Sequence, residues 1–416
     1  MRRAAGCLPI VLLLLTVTGC SSVMAGDDQP ETADVTISPP LNSTEADTRQ
    51  GLIVRAGSGT LTGVTAYLDG APVPGRFDGT RSTWRSDWAL APDREYIVNV
   101  TTAADGTTAT TSGRFRTLTP ARTFQVESVI PAPDETVGVG MPVIVDFTAP
   151  VEDRAAVEQA LEVRSTRPVE GAWHWVSDTQ VVYRPRREWP AHQRVSFTAH
   201  LSGVRAAKGV YGTADRTVPF AVGREQVSHI DAETHQMRVV RDGEVVQRMA
   251  ISAGMATTEE YTTTSGIHLT MDKADPVRMV SPGRKKGEPG FYDVMIDHAV
   301  RISNSGEYVH AKNNVWAQGR QNVSHGCVNA RPDQAAWFFG SSLRGDPVVI
   351  SGTDRELEWN NGWGYWQRSW EEWLKGSALH AAVPPRLLPT ALPTPAVDDG
   401  STNPVKPDDS PSGGIR

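Results

Sequence analysis

The chemistry of this chain concentrates around one thiol. In "NVSHGCVNARPD", Cys327 lies between His325 and Asn329, with Ser324 and Gly326 just before it, and His310 stands seventeen positions upstream. A thiol of ordinary pKa is only a few per cent ionised at neutral pH, so a nucleophilic cysteine needs a base or cation beside it. In extended chain His325 points to the same side as Cys327, but its ring meets the sulfur in poor alignment at that spacing. His310 ends the strand-like "GEYVHA", and the stretch 311–324 is long enough to bring the chain back beside it, so His310 is the better base. A neutral imidazole that takes the thiol proton leaves a thiolate able to attack an acyl carbon. Backbone N–H groups near Gly326 and Cys327 would then hold the developing oxyanion, donors whose removal typically costs about 3 kcal/mol of barrier.

Two blander readings compete. Cys327, His310 and His325 would make three ligands for zinc, yet the segment from Tyr308 to Arg331 offers no carboxylate to orient them. Alternatively the histidines are satisfied surface groups and the cysteine a small hydrophobe. Against the latter stands the polar, small-residue neighbourhood of Cys327, which has the composition of an exposed loop.

Elements to position these groups are legible downstream of Arg224. "QMRVVRDGEVVQRMAIS" reads as a hairpin with Asp242-Gly243 at a type I′ turn. "SGIHLTMDK", "YDVMIDHAVRIS" and "GEYVHA" read as further strands. After Cys327 comes one helix, with Pro332 near its first turn and Ala335, Ala336, Phe338 and Phe339 among its apolar positions, and "DPVVISG" closes the sheet. Cys327 is expected on the loop feeding that helix.

The first twenty residues carry Arg2 and Arg3, an apolar run from Ile10 to Leu15, and Val17-Thr18-Gly19 before Cys20. That is a secretory leader, too short for a permanent membrane span. Its end resembles a bacterial lipobox, which implies cleavage before Cys20 and a lipid on that sulfur; cleavage near Ala25 is the alternative. Cys7 lies in the leader and Cys20 is the lipid site, so Cys327 is left without a disulfide partner.

A chain of 416 residues has room for three domains and tails, and its net charge of -7 argues against nucleic acid as a partner. Residues 21–34 read as a tether. Residues 35–119 and 120–223 each show short β-rich runs at sandwich spacing, and both read as immunoglobulin-like sandwiches without a disulfide, with Trp84, Trp88, Trp173 and Trp175 as core residues. They are expected to act as spacers. A third, mainly β domain occupies 224–353. In 354–379, Trp363, Trp366, Trp370 and Trp373 recur at helical steps, which predicts a stripe that clamps the third domain to the preceding sandwich. Residues 380–416 are rich in Pro, Ser, Asp and Gly and read as a disordered tail.

The run "YVHAKNNVWAQGRQNVSHGCVNARPDQAAWFF" resembles the signature of the L,D-transpeptidases of the YkuD type, and the whole order of segments is similar to that of the mycobacterial and related actinobacterial lipoprotein members. The resemblance covers about Val35 to Leu374. It implies Cys327 as nucleophile, His310 as general base and later acid, Asn329, His325 and Ser324 as shapers of the loop, and Gly326 with Cys327 as oxyanion donors. Tyr292 in "GFYDVMID" matches a tyrosine over the site, and Met271 and His268 in "GIHLTMDK" match residues lining the same cavity. Several relatives carry serine where this chain has Ala311; alanine suffices if the role there belongs to a main-chain carbonyl. The resemblance further implies peptidoglycan tetrapeptide stems as donor and acceptor, a thioester intermediate, 3→3 cross-links, carbapenem β-lactams as covalent inhibitors, no cofactor, and residence at the outer face of the plasma membrane. A carboxypeptidase and a non-catalytic peptidoglycan-binding lipoprotein are the alternatives. The Gly/Pro-rich "VSPGRKKGEPG" is placed to be a lid, with Arg284, Lys285 and Lys286 either steering stem carboxylates or simply solvated.

Overall fold

A computed structural model describes residues 34–281 and 283–389 of the chain. The leader, Cys20, the tether up to residue 33 and the tail beyond residue 389 lie outside the described residues.

Alternation of apolar and polar residues puts two four-stranded sheets face to face in the first sandwich. One runs in the order Val35–Ser38, Ile53–Ala56, Thr83–Ser86, Gly75–Phe77, the other Ala71–Pro72, Thr60–Leu68, Glu95–Ala104, Thr107–Arg116. Tyr96, Val98 and Val100 alternate inward from the long third strand of the latter and pack with Trp84 and Phe115. Trp88 departs from expectation. It is half-buried and stacks on His200 of the second sandwich at 3.6 Å, so it joins two domains rather than filling one core.

The second sandwich is again two four-stranded sheets, with Trp173 and Trp175 buried between them. It contains one short helix, Arg154–Gln159, that the strand-like reading did not anticipate. Its core does not end at its own boundary. Leu269 and Met271 from the third domain and Trp363, Tyr365 and Trp373 from the Trp-rich segment belong to the same apolar cluster. The predicted single helical stripe is in fact broken: a 3₁₀ turn, Gly364–Gln367, is followed by Trp370–Leu374, a separate helix started by Ser369 and Glu372 in a capping box. The clamp nonetheless forms. Trp373 donates to the Ala172 carbonyl at 3.0 Å, Trp366 to the Gly140 carbonyl at 2.9 Å, and Arg184 lies 4.9–5.5 Å from the rings of Trp366, Trp370 and Trp373. Residues 380–389, expected to be disordered, run along this sandwich, with Val383 bridging Gly171 and Leu387 bridging Ser165.

The third domain is a nine-stranded mixed sheet in the order Gly266–Leu269, Pro347–Ser351, Gln226–Asp231, Gln236–Arg241, Glu244–Ser252, Val328–Ala330, Tyr308–Ala311, Ala299–Arg301, Lys273–Ala274. The hairpin at Asp242-Gly243 has positive φ at both residues, 49° and 86°, as its two-residue turn requires. The Pro332–Ser341 helix, with proline at its first turn and Ala335 and Phe338 buried, packs on the Tyr308–Ala311 strand.

Candidate active site

Parallel pairing brings the thiol and the imidazole together. Tyr308–Ala311 runs beside Val328–Ala330 with Val309 opposite Val328 and His310 opposite Asn329. Val309 and Val328 go to the core, so His310 and Asn329 share the other face, and Cys327, one residue before the strand, lies against Gly306 with its Sγ 3.6 Å from that carbonyl. The loop expected between Cys327 and the helix is therefore partly a strand. It is only three residues long, and it is buried: Asn329, Ser324 and His310 are all nearly inaccessible, and Cys327 is half-buried.

A tight turn delivers the sulfur. Gly326 sits at φ +122°, a conformation that disfavours any side chain. The Ser324 hydroxyl accepts from the Gly326 N–H at 3.1 Å and donates to the Cys327 carbonyl at 2.5 Å, while Thr263 donates to the Gly326 carbonyl at 2.7 Å and accepts from the Gly254 N–H. This corrects the expected oxyanion pair. The Gly326 N–H is already committed to Ser324, whereas the Cys327 N–H has no partner among the described residues. Tyr292 stands in the same cleft, its phenol pushed up from the ordinary value chiefly by burial, so its O–H persists as a donor.

His310 Nδ1 lies 2.9 Å from the Ala311 carbonyl. That contact puts the proton on Nδ1 and leaves Nε2 as a lone pair, and it is made by the main chain, so Ala311 serves without a hydroxyl. Burial holds the His310 imidazole down to about 4 and pushes the Cys327 thiol up to about 12, the charge of Glu307 adding to the latter. At neutral pH both groups are thus uncharged. Desolvation outweighs any stabilisation of a sulfur anion here, and among the described residues the sulfur's hydrogen-bond partner is the Gly306 carbonyl rather than the His310 ring.

Both residues line a cleft of about 700 Å³ together with Tyr292, His325, Ser324, Gly326 and Asn329. His325 is exposed at its mouth, edge-on to Tyr261 at 4.5 Å and 5.3 Å from Tyr292. The strands Val277–Val280 and Asp293–Ile296 form a hairpin that walls the cleft through Met279, Val294 and Ile296, and Arg284 of its connecting segment pairs with Glu260 at 2.8 Å. Met271 and His268 do not line the cleft. Met271 belongs to the core shared with the second sandwich, and His268 is buried with its ring nitrogens 2.8 Å from the Thr264 carbonyl and 3.2 Å from that of Ile302. Nor do the thiol and histidines gather a metal: among the described residues no group of three His, Cys, Asp or Glu is placed to hold one. Sequence reasoning missed Thr263 and Tyr261, which reach the site from a distant segment and carry no local signal of it, and Glu307, which lies inside the quoted "GEYVHA" but was read only as part of a strand.

Fold and site together define a cysteine acyltransferase domain carried on two sandwiches. Residues 225–350 match the L,D-transpeptidase catalytic domain, and residues 43–205 match the bacterial Ig domain. L,D-transpeptidase 5 of Mycobacterium tuberculosis is 31% identical over 388 residues, spanning 91% of this chain and 84% of the relative, and L,D-transpeptidase 2 of the same species is 34% identical over 349 residues, spanning 83% and 82%. A solved LD transpeptidase in complex with imipenem is 35% identical and covers 56% of this chain and 100% of its own, with a TM-score of 0.47. The chain belongs to the L,D-transpeptidase family.

Proposed function

We propose that this protein forms 3→3 cross-links between peptidoglycan stems through a thioester on Cys327. The observation that carries the reading is the parallel register that sets His310, Asn329 and the Cys327 thiol on one face of one cleft, within a chain of this family. His310 Nε2 takes the thiol proton as Sγ attacks the carbonyl carbon of the third residue of a tetrapeptide stem. The Cys327 N–H and the Tyr292 hydroxyl receive the oxyanion. Collapse breaks the C–N bond to the terminal D-alanine, whose nitrogen takes the proton back from His310, and the thioester remains. A side-chain amine of a second stem then attacks that carbonyl. The acceptor arrives as an ammonium and loses one proton to solvent before it attacks as the amine; His310 then takes one further proton from the attacking nitrogen and delivers it to the departing sulfur, and an amide and a free thiol result.

Because both partners start neutral, no charge is buried until the substrate is in place, and proton transfer accompanies attack. Desolvation under the hairpin also keeps water from the thioester, which favours the amine over hydrolysis. The same geometry suits the strained carbonyl of a carbapenem. Lys312 and Arg355 are the cleft cations suited to stem carboxylates. The leader and Cys20 support a lipid-anchored position at the outer face of the membrane, which labelling with a fatty acid, lost in Cys20→Ala, would check.

Mass spectrometry of the purified protein with a carbapenem tests the reading: a covalent adduct is expected, and it is lost in Cys327→Ala. Absence of any adduct would favour a non-catalytic stem-binding protein. Product analysis on a defined tetrapeptide stem separates cross-link from hydrolysed tripeptide.

A further inference from the structure

Three carboxylates line the cleft, and they are not alike. Glu260 pairs with Arg284 at 2.8 Å, and Glu259 faces Arg355 at 3.8 Å, so the two at the mouth are matched by the arginines beside them. Glu307 is the deepest, only 5% exposed, and has no ion pair among the described residues. Its neighbours are neutral donors from one residue: the Thr264 N–H reaches Oε1 at 2.7 Å, and the single Thr264 hydroxyl proton is shared between Oε1 and Oε2 at 2.9 Å each. A carboxylate offers about four lone-pair positions, so these two protons leave it under-supplied. A cation arriving beside a carboxylate this deep would find no competing positive partner.

Its place in the chain relates it to the chemistry. Glu307 follows Gly306, whose carbonyl is 3.6 Å from the Cys327 Sγ, and its charge is felt at that sulfur. The strand Tyr308–Ala311 with His310 follows, and just beyond its end comes Lys312, exposed and also without an ion pair among the described residues. The cleft therefore carries an unmatched negative charge on one side of the thiol and an unmatched positive charge on the other. A donor stem ends in a carboxylate and an acceptor brings an ammonium, so the two ends of the cleft differ in the sign each attracts.

We propose that Glu307 is the binding residue for the ammonium of the acceptor stem, holding that side chain on the Gly306 side of the thioester before it loses its proton and attacks. This rests on the transpeptidase reading above, and it assigns acceptor choice to one carboxylate. The bonds made and broken are unchanged.

The test splits the two half-reactions. In Glu307→Gln the side chain keeps its shape, and acylation by a carbapenem, which involves no ammonium acceptor, is expected to proceed at least as fast as in the wild type. The KM for the amine acceptor should rise roughly ten- to hundredfold, the scale of one charge-assisted hydrogen bond, with hydrolysed product increasing at the expense of cross-link. An unchanged acceptor KM would overturn the proposal. Should the variant lose both half-reactions together, competition on the wild-type enzyme decides: a short straight-chain alkylammonium ion should compete with the acceptor and the alcohol of equal length should not, and equal competition by the two would overturn it. Failure of the wild-type enzyme to form a thioester or a cross-link at all would instead sink the underlying transpeptidase reading.

Discussion

His310 and Cys327 set the pH behaviour of the site, and the signs can be worked out separately. His310 must be neutral to act as base; its pKa, lowered to about 4, keeps it so, and acylation should hold steady from neutral pH downward and fail only as pH falls through about 4. Cys327, raised to about 12, should be alkylated by iodoacetamide slowly at neutral pH in the resting enzyme, with a rate that climbs past pH 9; a plateau below pH 8 would contradict the neutral pair. Stability follows the same shifts. The unfolded state takes up a proton on His310 at its ordinary value before the folded state does, so stability drops as pH falls from about 6.5 toward 4, and it drops again as pH rises from about 9 toward 12, where the unfolded thiol ionises first. His310→Ala should slow acylation by roughly 10² to 10⁴, the usual worth of a general base. Ala311→Ser should leave the rate unchanged, because the contact to His310 Nδ1 is a main-chain carbonyl.

At the scale of elements, the turn from Ser324 to Cys327 is held by one hydroxyl that serves two backbone groups. Ser324→Ala strands the Gly326 N–H and the Cys327 carbonyl; the expected loss is about 1–3 kcal/mol in a denaturant titration, with slower acylation as the turn loosens. How much of this was readable beforehand depends on how local each feature is. Cys327, His325, Asn329 and the spaced His310 stand out because their types cluster in one short stretch. The Val328–Ala330 strand did not, since three residues give no periodicity and its pairing partner lies some twenty positions away. Thr263 and Glu307 contribute through contacts that only the folded sheet creates. Met271 and His268 were misplaced for the converse reason: His268 lies on a strand of the same sheet but in a buried polar pocket, and Met271, just beyond that strand, joins the core of the second sandwich. The break in the tryptophan stripe, by contrast, was legible and overlooked, for "SWEE" is a capping box that starts a new helix at Ser369.

For the whole molecule, the decisive fact is that the Trp-rich segment, with Leu269 and Met271 of the third domain, is built into the core of the second sandwich, while the catalytic sheet and the first sandwich each keep a core of their own and the first sandwich takes no part in that joint. The catalytic domain is tied to that sandwich by Arg344 with Glu135 at 3.2 Å and by the Gly138 N–H, which donates to the Arg344 carbonyl at 2.7 Å. Calorimetry should therefore record two transitions, one for the first sandwich and one for everything after it. Trp373→Ala should lower only the second, by about 3–5 kcal/mol, since it removes a fully buried ring and its bond to Ala172. A single transition for the whole chain would contradict the partition. The order of synthesis gives this arrangement a further meaning. Ala172 waits two hundred and one residues for the indole that covers it. Synthesised N-terminus first, the chain leaves that sandwich as an unfinished apolar surface until Trp373 has been made, so the second sandwich cannot settle before the Trp-rich segment arrives and the nascent molecule needs shelter from aggregation until then.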